Sequence, residues 1–313
     1  MPTGILDIGS NTVHLIVLHP APHARPTAIA QQRWVVPLMQ YLDGDDALVP
    51  DGVQALSAAV DQALAFAEEQ GVDQLVGMAT SAFREIANGR EVLRELERRA
   101  NTDIQVLTGS DESEFTFVAA RRWAGWGAGR LLVCDIGGSS LQIAQGGDEI
   151  PDQAFSLPLG AGRLTHQFLP EQPASAGQVA ALRDHIRAVL ATISHSFGAH
   201  SPDLTLGTSK LLRSLGQLAG SPVRGGADER TRVVSLAAID DWAERLGRMS
   251  LEARAELPGM TPERALMMHA AALVASETLR QLGVSEFQTC PWALREGVLL
   301  QHSDQMSGSS SDY

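Results

Sequence analysis

Lysine is nearly missing from this chain: Lys210 is the only one, and every other basic side chain among the 24 Lys+Arg is arginine. Cysteine is almost as scarce. Cys134 and Cys290 lie far apart, each inside an apolar stretch, which excludes a disulfide framework or a cysteine zinc cluster and marks both as buried, reduced thiols. Aromatic residues make up only 5% of the chain, so the cores must be built from Leu, Val, Ile and Ala. No apolar run approaches the roughly 18 residues a membrane span needs. The start, MPTGILDIGS, has neither a basic segment nor a signal-type apolar run, so the expected location is cytoplasmic and away from membranes. Positive charge is short as well: 24 Lys+Arg against 37 Asp+Glu gives a formal net charge of −13. Such a surface argues against general binding to nucleic acid or anionic lipid. A polyanionic ligand would need arginines gathered locally against that field, and the guanidinium fork suits bidentate phosphate contacts.

What is present is a chain of 313 residues, 44% hydrophobic, with 29 Gly and 15 Pro. That length allows two domains, each with its own core, and the composition is that of a globular protein. Gly4–Leu18 reads as two strands joined by a tight Gly-Ser-Asn turn, and a third strand is expected near Ile29–Val36. Helical spacing covers Asp51–Gln70, with Asp51 as N-cap and Gly71 as the stop. A short strand at Gln74–Met78 leads into a helical start at Ser81, then a helix at Glu91–Ala100 and a strand at Ile104–Leu107. Asp111–Trp123 reads as a helix opened by an acidic cluster. The glycine-rich stretch Gly125–Gly129 marks the domain boundary, giving domains at 1–125 and 126–303. Beyond it lie a strand at Leu131–Ile136, a long helix at Ala176–Phe197, a strand at Leu204–Leu206 and a helix at Lys210–Leu218. Helices at Leu236–Leu246 and Pro262–Leu282, a strand at Glu286–Thr289 and a helix at Ala293–His302 complete the second domain. The Ser/Gly-rich end, 304–313, is expected to be a disordered tail.

One repeat stands out. Leu6-Asp7-Ile8-Gly9-Ser10-Asn11-Thr12-Val13-His14-Leu15 aligns with Cys134-Asp135-Ile136-Gly137-Gly138-Ser139-Ser140-Leu141-Gln142-Ile143. The Asp-Ile-Gly core is identical, small polar residues follow, and an apolar strand resumes. A lone Asp-x-Gly turn is usually a hairpin device; two copies a domain apart carry much more information. The glycines let backbone N–H groups approach an anion, and Ser or Asn adds donors. An Asp at the strand end cannot bind phosphate directly but can hold Mg²⁺ or its waters.

With these landmarks in order, the chain resembles the exopolyphosphatase/guanosine pentaphosphate phosphohydrolase (Ppx/GppA) family of the acetate kinase–Hsp70–actin superfamily, and most of all its short actinobacterial members. The resemblance runs from DIGSNTVHLIV to CPWALREGVLL through ATSAFREIANG, LTGSDESEFTF, SLPLGAGRLT and GTSKLLRSL. It implies an α/β fold of two ribonuclease H-like (actin-like) domains with the active site in the interdomain cleft. It also implies an enzyme that removes terminal phosphate from inorganic polyphosphate, with guanosine pentaphosphate or tetraphosphate as a further ligand, and a homodimer.

The same resemblance assigns roles. Asp7, Gly9, Ser10 and Asn11 would form the first phosphate loop, and Asp135, Gly137, Gly138, Ser139 and Ser140 the second. Arg84, read alone, fits a solvated helix face as well as a phosphate contact; the resemblance makes it a phosphate ligand, with Asn88 ordering its segment. Glu112 takes the place of the catalytic glutamate, the general base on the attacking water, although acidic residues at a helix start also have a purely electrostatic reading. Lys210, read from its own surroundings, fits a solvated lysine, but its uniqueness in the chain and its Gly-Thr-Ser context favour a phosphate contact, with Ser209 beside it. Arg163 and Arg295 are weaker candidates, either of which fits a structural ion pair. Arg121-Arg122 fits a helix face and His269 a core position. Mg²⁺ held by Asp7, Asp135 and Glu112 is the expected cofactor, since no His/Asp/Glu grouping has transition-metal spacing.

The pattern breaks in the second loop, where the family runs Asp-x-Gly-Gly-Gly-Ser-x-Glu and this chain has DIGGSSLQ. Ser139 replaces a glycine, tolerable only where φ is negative. Gln142 replaces an acidic residue and so carries neither charge nor basicity. Two functions therefore stay open: an active phosphohydrolase with Glu112, Asp135 and Gln142 at its catalytic centre, or a catalytically weak sensor of polyphosphate or a guanosine alarmone.

Overall fold

The computed structural model describes residues 2–18, 28–80, 82–197, 201–222 and 231–309. The chain divides into two compact units, Met1–Glu112 with Val298–Tyr313, and Ser113–Gly297.

In the first unit, strands β1 (Thr3–Ile8), β2 (Thr12–Leu18), β3 (Ala28–Val35), β4 (Gln74–Ala79) and β5 (Ile104–Val106) form a sheet of order β3-β2-β1-β4-β5. β1 pairs antiparallel with β2 and parallel with β4. The continuous apolar runs of β1 and β2 are buried, as expected for central strands covered on both faces. Helices α1 (Pro50–Glu69), α2 (Ala82–Glu85) and α3 (Gly89–Ala100) follow the chain between strands, and α4 (Gly109–Ala124) leads out of the unit. Leu6, Ile8, Val13, Leu15 and Val17 pack with Leu56, Val60, Leu93 and Leu96 in one apolar core.

In the second unit, β6 (Leu131–Ile136), β7 (Leu141–Gly146), β8 (Gln153–Leu157), β9 (Leu204–Gly207), β10 (Ser221–Pro222), β11 (Arg232–Ser235) and β12 (Glu286–Thr289) give the order β10-β11-β12-β9-β6-β7-β8. β6 pairs antiparallel with β7 and parallel with β9, which pairs parallel with β12. Read outward from the Asp-Ile-Gly strand, β8-β7-β6-β9-β12 repeats the order and direction of β3-β2-β1-β4-β5. The sequence repeat is thus a repeat of topology, and the α/β class stands. Helices α5 (Ala161–Phe168), α6 (Ala176–Ala191), α7 (Lys210–Ala219), α8 (Leu236–Arg248), α9 (Leu251–Ala255), α10 (Pro262–Gln281) and α11 (Leu294–Ser309) complete the chain. α10 is buried on nearly every side, as its all-round apolar composition requires. Its one buried acid, Glu277, receives Arg183 and Arg187 from α6.

Several element ends differ from expectation. The N-cap of α1 is Val49 with Pro50 at the first helical position, and Asp51 sits within the first turn; proline there needs no N–H donor and pre-sets φ. Gly71 does end that helix region, at φ +64. The segment read as one helix to Phe197 stops at Ala191 and resumes as a 3-10 turn at Ser194–Phe197. α5, β8, β11 and the short α9 had no clear signal, because a Gly-Ala-Gly start and stretches of five residues or fewer leave little periodicity to read. The last helix extends to Ser309, into the segment expected to be a tail; Ser81 and residues 310–313 lie outside the described residues.

Both cysteines are buried and free. Burial pushes the Cys134 thiol up to about 12, with nearby Asp135 adding to the shift, and drives Cys290 higher as well. Such thiols are inert packing groups at neutral pH.

Candidate phosphate-binding site

Each Asp-Ile-Gly strand ends in the same turn. The Gly9 N–H donates to Thr12 O at 2.9 Å, and the Gly137 N–H to Ser140 O at 2.8 Å. Across each hairpin the aspartate faces a polar residue in register: Asp7 opposite His14, Asp135 opposite Gln142. The loop residues Gly9, Ser10, Asn11 and Gly137, Gly138, Ser139, Ser140 are all half-buried. Ser139 is not among the residues with positive φ, so the serine that replaces a glycine there is unstrained.

Behind the second loop lies the N-terminus of α5. The Ala161 N–H donates to Gly137 O, the Arg163 N–H to Gly138 O, and the Gly160 N–H to Ser139 O. The intervening peptides are trans, the one cis bond among the described residues being Gln172–Pro173. In a trans peptide the N–H points opposite to its carbonyl. Fixing the carbonyls of 137, 138 and 139 on α5 therefore turns the N–H groups of Gly138, Ser139 and Ser140 the other way, where none meets a partner among the described residues. Successive outward amides of this kind form an anion-binding nest. In the first loop, Ser10 O accepts from Leu38 N–H and Asn11 O from Val36 N–H. There the backing is extended chain and a 3-10 turn at Leu38–Tyr41 rather than a helix start.

The acids separate into roles. At the start of α4, Thr108 N–H donates to Asp111 and Asp111 N–H donates to Thr108 Oγ1, at 2.7 and 3.0 Å. That reciprocal cap accounts for Asp111. Glu112 next to it, also in the first turn of α4, is only 5% exposed. Asp7 is buried at the end of β1. Asp135 accepts a 2.5 Å hydrogen bond from Thr208 Oγ1. Burial raises the Asp135 carboxyl above its ordinary value, against the lowering pull of the Thr208 bond and of Arg213 and Arg295. Arg295, a weak candidate from sequence, and Arg213, which sequence reasoning did not single out, thus both act on Asp135. Arg213 was missed because one arginine on a helix carries no signal without its fold.

The remaining candidates are placed as follows. Arg84 is exposed and donates to the carbonyls of Val106 and Leu107, a tie to the end of β5. Asn88 brackets Leu48, accepting its N–H and donating to its carbonyl, both at 2.9 Å, so it orders its segment as expected. Ser209 caps α7 by accepting from Leu212 N–H at 3.1 Å; Lys210 is the next residue, half-buried at the helix start. Gln142 is buried, and its Nε2 donates to Ser140 Oγ at 2.7 Å. Arg121 is no surface residue: it is 1% exposed and donates to the carbonyls of Gly129, Gly146 and Asp148, while Arg122 pairs with Glu149. His269 is buried in α10, and its pKa falls to about 4 through burial and the positive charges of Arg254 and Arg183.

Among the described residues no group of three or more His, Cys, Asp or Glu side chains is arranged to hold a metal ion. Mg²⁺ does not require one, since it commonly takes one or two carboxylates and completes its shell with phosphate oxygens and waters. The hard oxygen of Asp135, oriented by Thr208, and that of buried Asp7 fit such a role. No described helix is long and apolar enough to cross a membrane.

Comparison with known proteins points the same way. The model of the Ppx/GppA phosphatase family matches residues 16–306. The chain is 40% identical over 305 residues to Exopolyphosphatase 1 of Mycobacterium tuberculosis, covering 97% of this chain and 89% of the relative. The Mycobacterium leprae protein of the same name is 38% identical, with 97% and 90% covered. Among solved structures, an exopolyphosphatase from Cytophaga hutchinsonii superposes with a TM-score of 0.86 at 20% identity, covering 97% of this chain and 98% of that one. The Aquifex aeolicus Ppx/GppA family member gives 0.79 at 20% identity, with 98% of each covered. At that identity the likeness speaks for the fold.

Proposed function

We propose that this chain, which belongs to the Ppx/GppA phosphatase family, is an exopolyphosphatase that hydrolyses the terminal phosphoanhydride bond of inorganic polyphosphate. The observation that carries the reading is the nest in the second loop, where Gly138, Ser139 and Ser140 present backbone N–H groups with no partner among the described residues. Donors fixed in advance are what phosphoryl transfer needs, because its transition state spreads charge over the equatorial oxygens and asks little covalent chemistry of the protein. Gly9, Ser10, Asn11, Arg84, Ser209 and Lys210 are the further phosphate contacts in this reading.

Glu112 is the general base, taking the proton of the attacking water. Its burial at the start of α4 supports that assignment. Asp7, Asp135 and Glu112 would hold Mg²⁺, which supplies charge neutralisation on the phosphate oxygens. Guanosine pentaphosphate as a second substrate, a homodimer and a cytoplasmic location belong to the same reading and rest on the family.

The test is phosphate release from long-chain polyphosphate with Mg²⁺. Wild type should turn over, and Glu112→Gln should lose roughly 10²–10⁴-fold in rate. Undiminished turnover in that variant removes Glu112 from the mechanism, and full activity in excess EDTA removes the metal. A second reading, a binding protein with weak chemistry, is favoured by one observation: the buried side chain opposite Asp135 is the amide of Gln142. If only Gln142→Glu hydrolyses polyphosphate while wild type merely binds it, that second reading is correct.

A further inference from the structure

Arg163 was a candidate phosphate contact from sequence; its geometry gives it different work. Its main-chain N–H donates to Gly138 O at 2.9 Å, and its side-chain Nε donates to Ser139 O at 3.1 Å. One residue therefore holds two successive carbonyls of the second loop. Close approach makes this possible: a Cβ on Gly160 would lie 2.1 Å from Ser139 C, and one on Gly162 would lie 2.9 Å from Gly138 O. Because each trans peptide sets its N–H opposite its carbonyl, holding those two carbonyls sets the N–H directions of Ser139 and Ser140. The bond from a cation to Ser139 O does more than orient. A charge-assisted hydrogen bond polarises the peptide that accepts it, so the Ser140 N–H on its other side becomes a stronger donor.

We infer that Arg163 is a positioning residue for the anion nest, acting on the ligand through the Gly138–Ser140 backbone and not by direct contact. The inference rests on the phosphate-binding reading of that loop and adds the device that aims it. It separates charge from geometry. A lysine at 163 keeps the charge, but its Nζ sits at the end of a flexible stem and cannot reproduce the in-plane Nε–H.

The experiment is a calorimetric titration of tripolyphosphate into wild type, Arg163→Lys and Arg163→Gln in metal-free buffer, with ¹⁵N amide spectra of the ligand-free proteins. Lysine and glutamine variants are expected to lose affinity alike, by about tenfold, and to shift the free-state amide signals of Ser139 and Ser140. Wild-type affinity in both variants overturns the inference. So does retention by lysine with loss by glutamine, which would make Arg163 a direct charge contact. Should the variants fail to fold, hydrogen exchange at the wild-type Arg163 Nε–H decides: slow exchange supports the clamp, and exchange at the solvent rate overturns it. No binding by wild type would sink the functional reading, while the free-state amide signals would still decide the clamp.

Discussion

The two Asp-Ile-Gly loops begin alike and are held differently. Both close with a glycine N–H on the carbonyl three residues on, and both put an aspartate at the end of a central strand. The first is backed by Val36 and Leu38, which take two of its carbonyls. The second is backed by the start of α5, where Gly160, Ala161 and Arg163 take the carbonyls of Ser139, Gly137 and Gly138. A held carbonyl fixes the tilt of its peptide, and the first loop has two so held where the second has three. A helix start supplies main-chain N–H groups that would otherwise have no acceptor, and spending them on a loop fixes that loop's own donors in the opposite direction. Two turns that open on the same Asp-Ile-Gly can therefore differ in preorganisation, and part of the difference lies in what packs behind them.

The sharpest test of this contrast is a pair of alanine substitutions. Gly160→Ala would press a methyl into the Ser139 backbone at 2.1 Å, whereas at Gly9 the nearest atom to a new Cβ is Thr12 O at 3.4 Å, an ordinary contact. Gly160→Ala should cost about 1–3 kcal/mol of stability or more and abolish tripolyphosphate binding. Gly9→Ala should leave the melting temperature nearly unchanged. Equal damage at the two sites, measured by thermal melts and calorimetry, would end the claim that the loops are differently supported.

A smaller effect is expected from His269, which lies buried in α10 beside Gly247 of α8. Its folded pKa of about 4 is below the ordinary 6.5, so between those values the unfolded chain binds more protons. Stability should therefore fall as pH drops from about 6.5 towards 4, by up to on the order of 3 kcal/mol, and level off below. His269→Gln should flatten that slope in melting temperature while leaving phosphate binding at neutral pH intact. An unchanged slope would place the acid sensitivity elsewhere.

Asp135 offers a test with the opposite sign. Burial raises its carboxyl, so the stability it contributes is present at low pH and is lost as pH rises through the folded value. Asp135→Asn keeps an acceptor for Thr208 and removes the buried charge. It should abolish turnover yet melt at least as high as wild type at pH 8, by about 1 kcal/mol or more, with the advantage shrinking as pH falls. A lower melting point at pH 8 would mean that the ionised carboxylate is a net stabiliser. The smallest change is expected from Asp111→Ala, which removes a cap worth about 1 kcal/mol and should lower the melting temperature while leaving kcat within a few-fold. A large loss of kcat would favour Asp111 over Glu112 as the proposed general base.

Much of the molecule was legible in the sequence. The Asp-Ile-Gly repeat, its alternation of apolar strand and polar turn, and the central helices are local patterns, and local patterns survive without tertiary context. They gave the α/β class and the strand ends at Ile8 and Ile136; the choice of Glu112 came from the family resemblance. Arg121 and Arg163 were not legible, because an arginine written in sequence has no direction. Only the fold shows that one is sealed among the carbonyls of Gly129, Gly146 and Asp148 and that the other grips Ser139. Nor could sequence show that Asp111 exchanges hydrogen bonds with Thr108 at the start of α4. Sequence determined which turns this protein makes; tertiary structure decided which way their amides face, because that depends on the acceptors and donors that distant segments bring behind them.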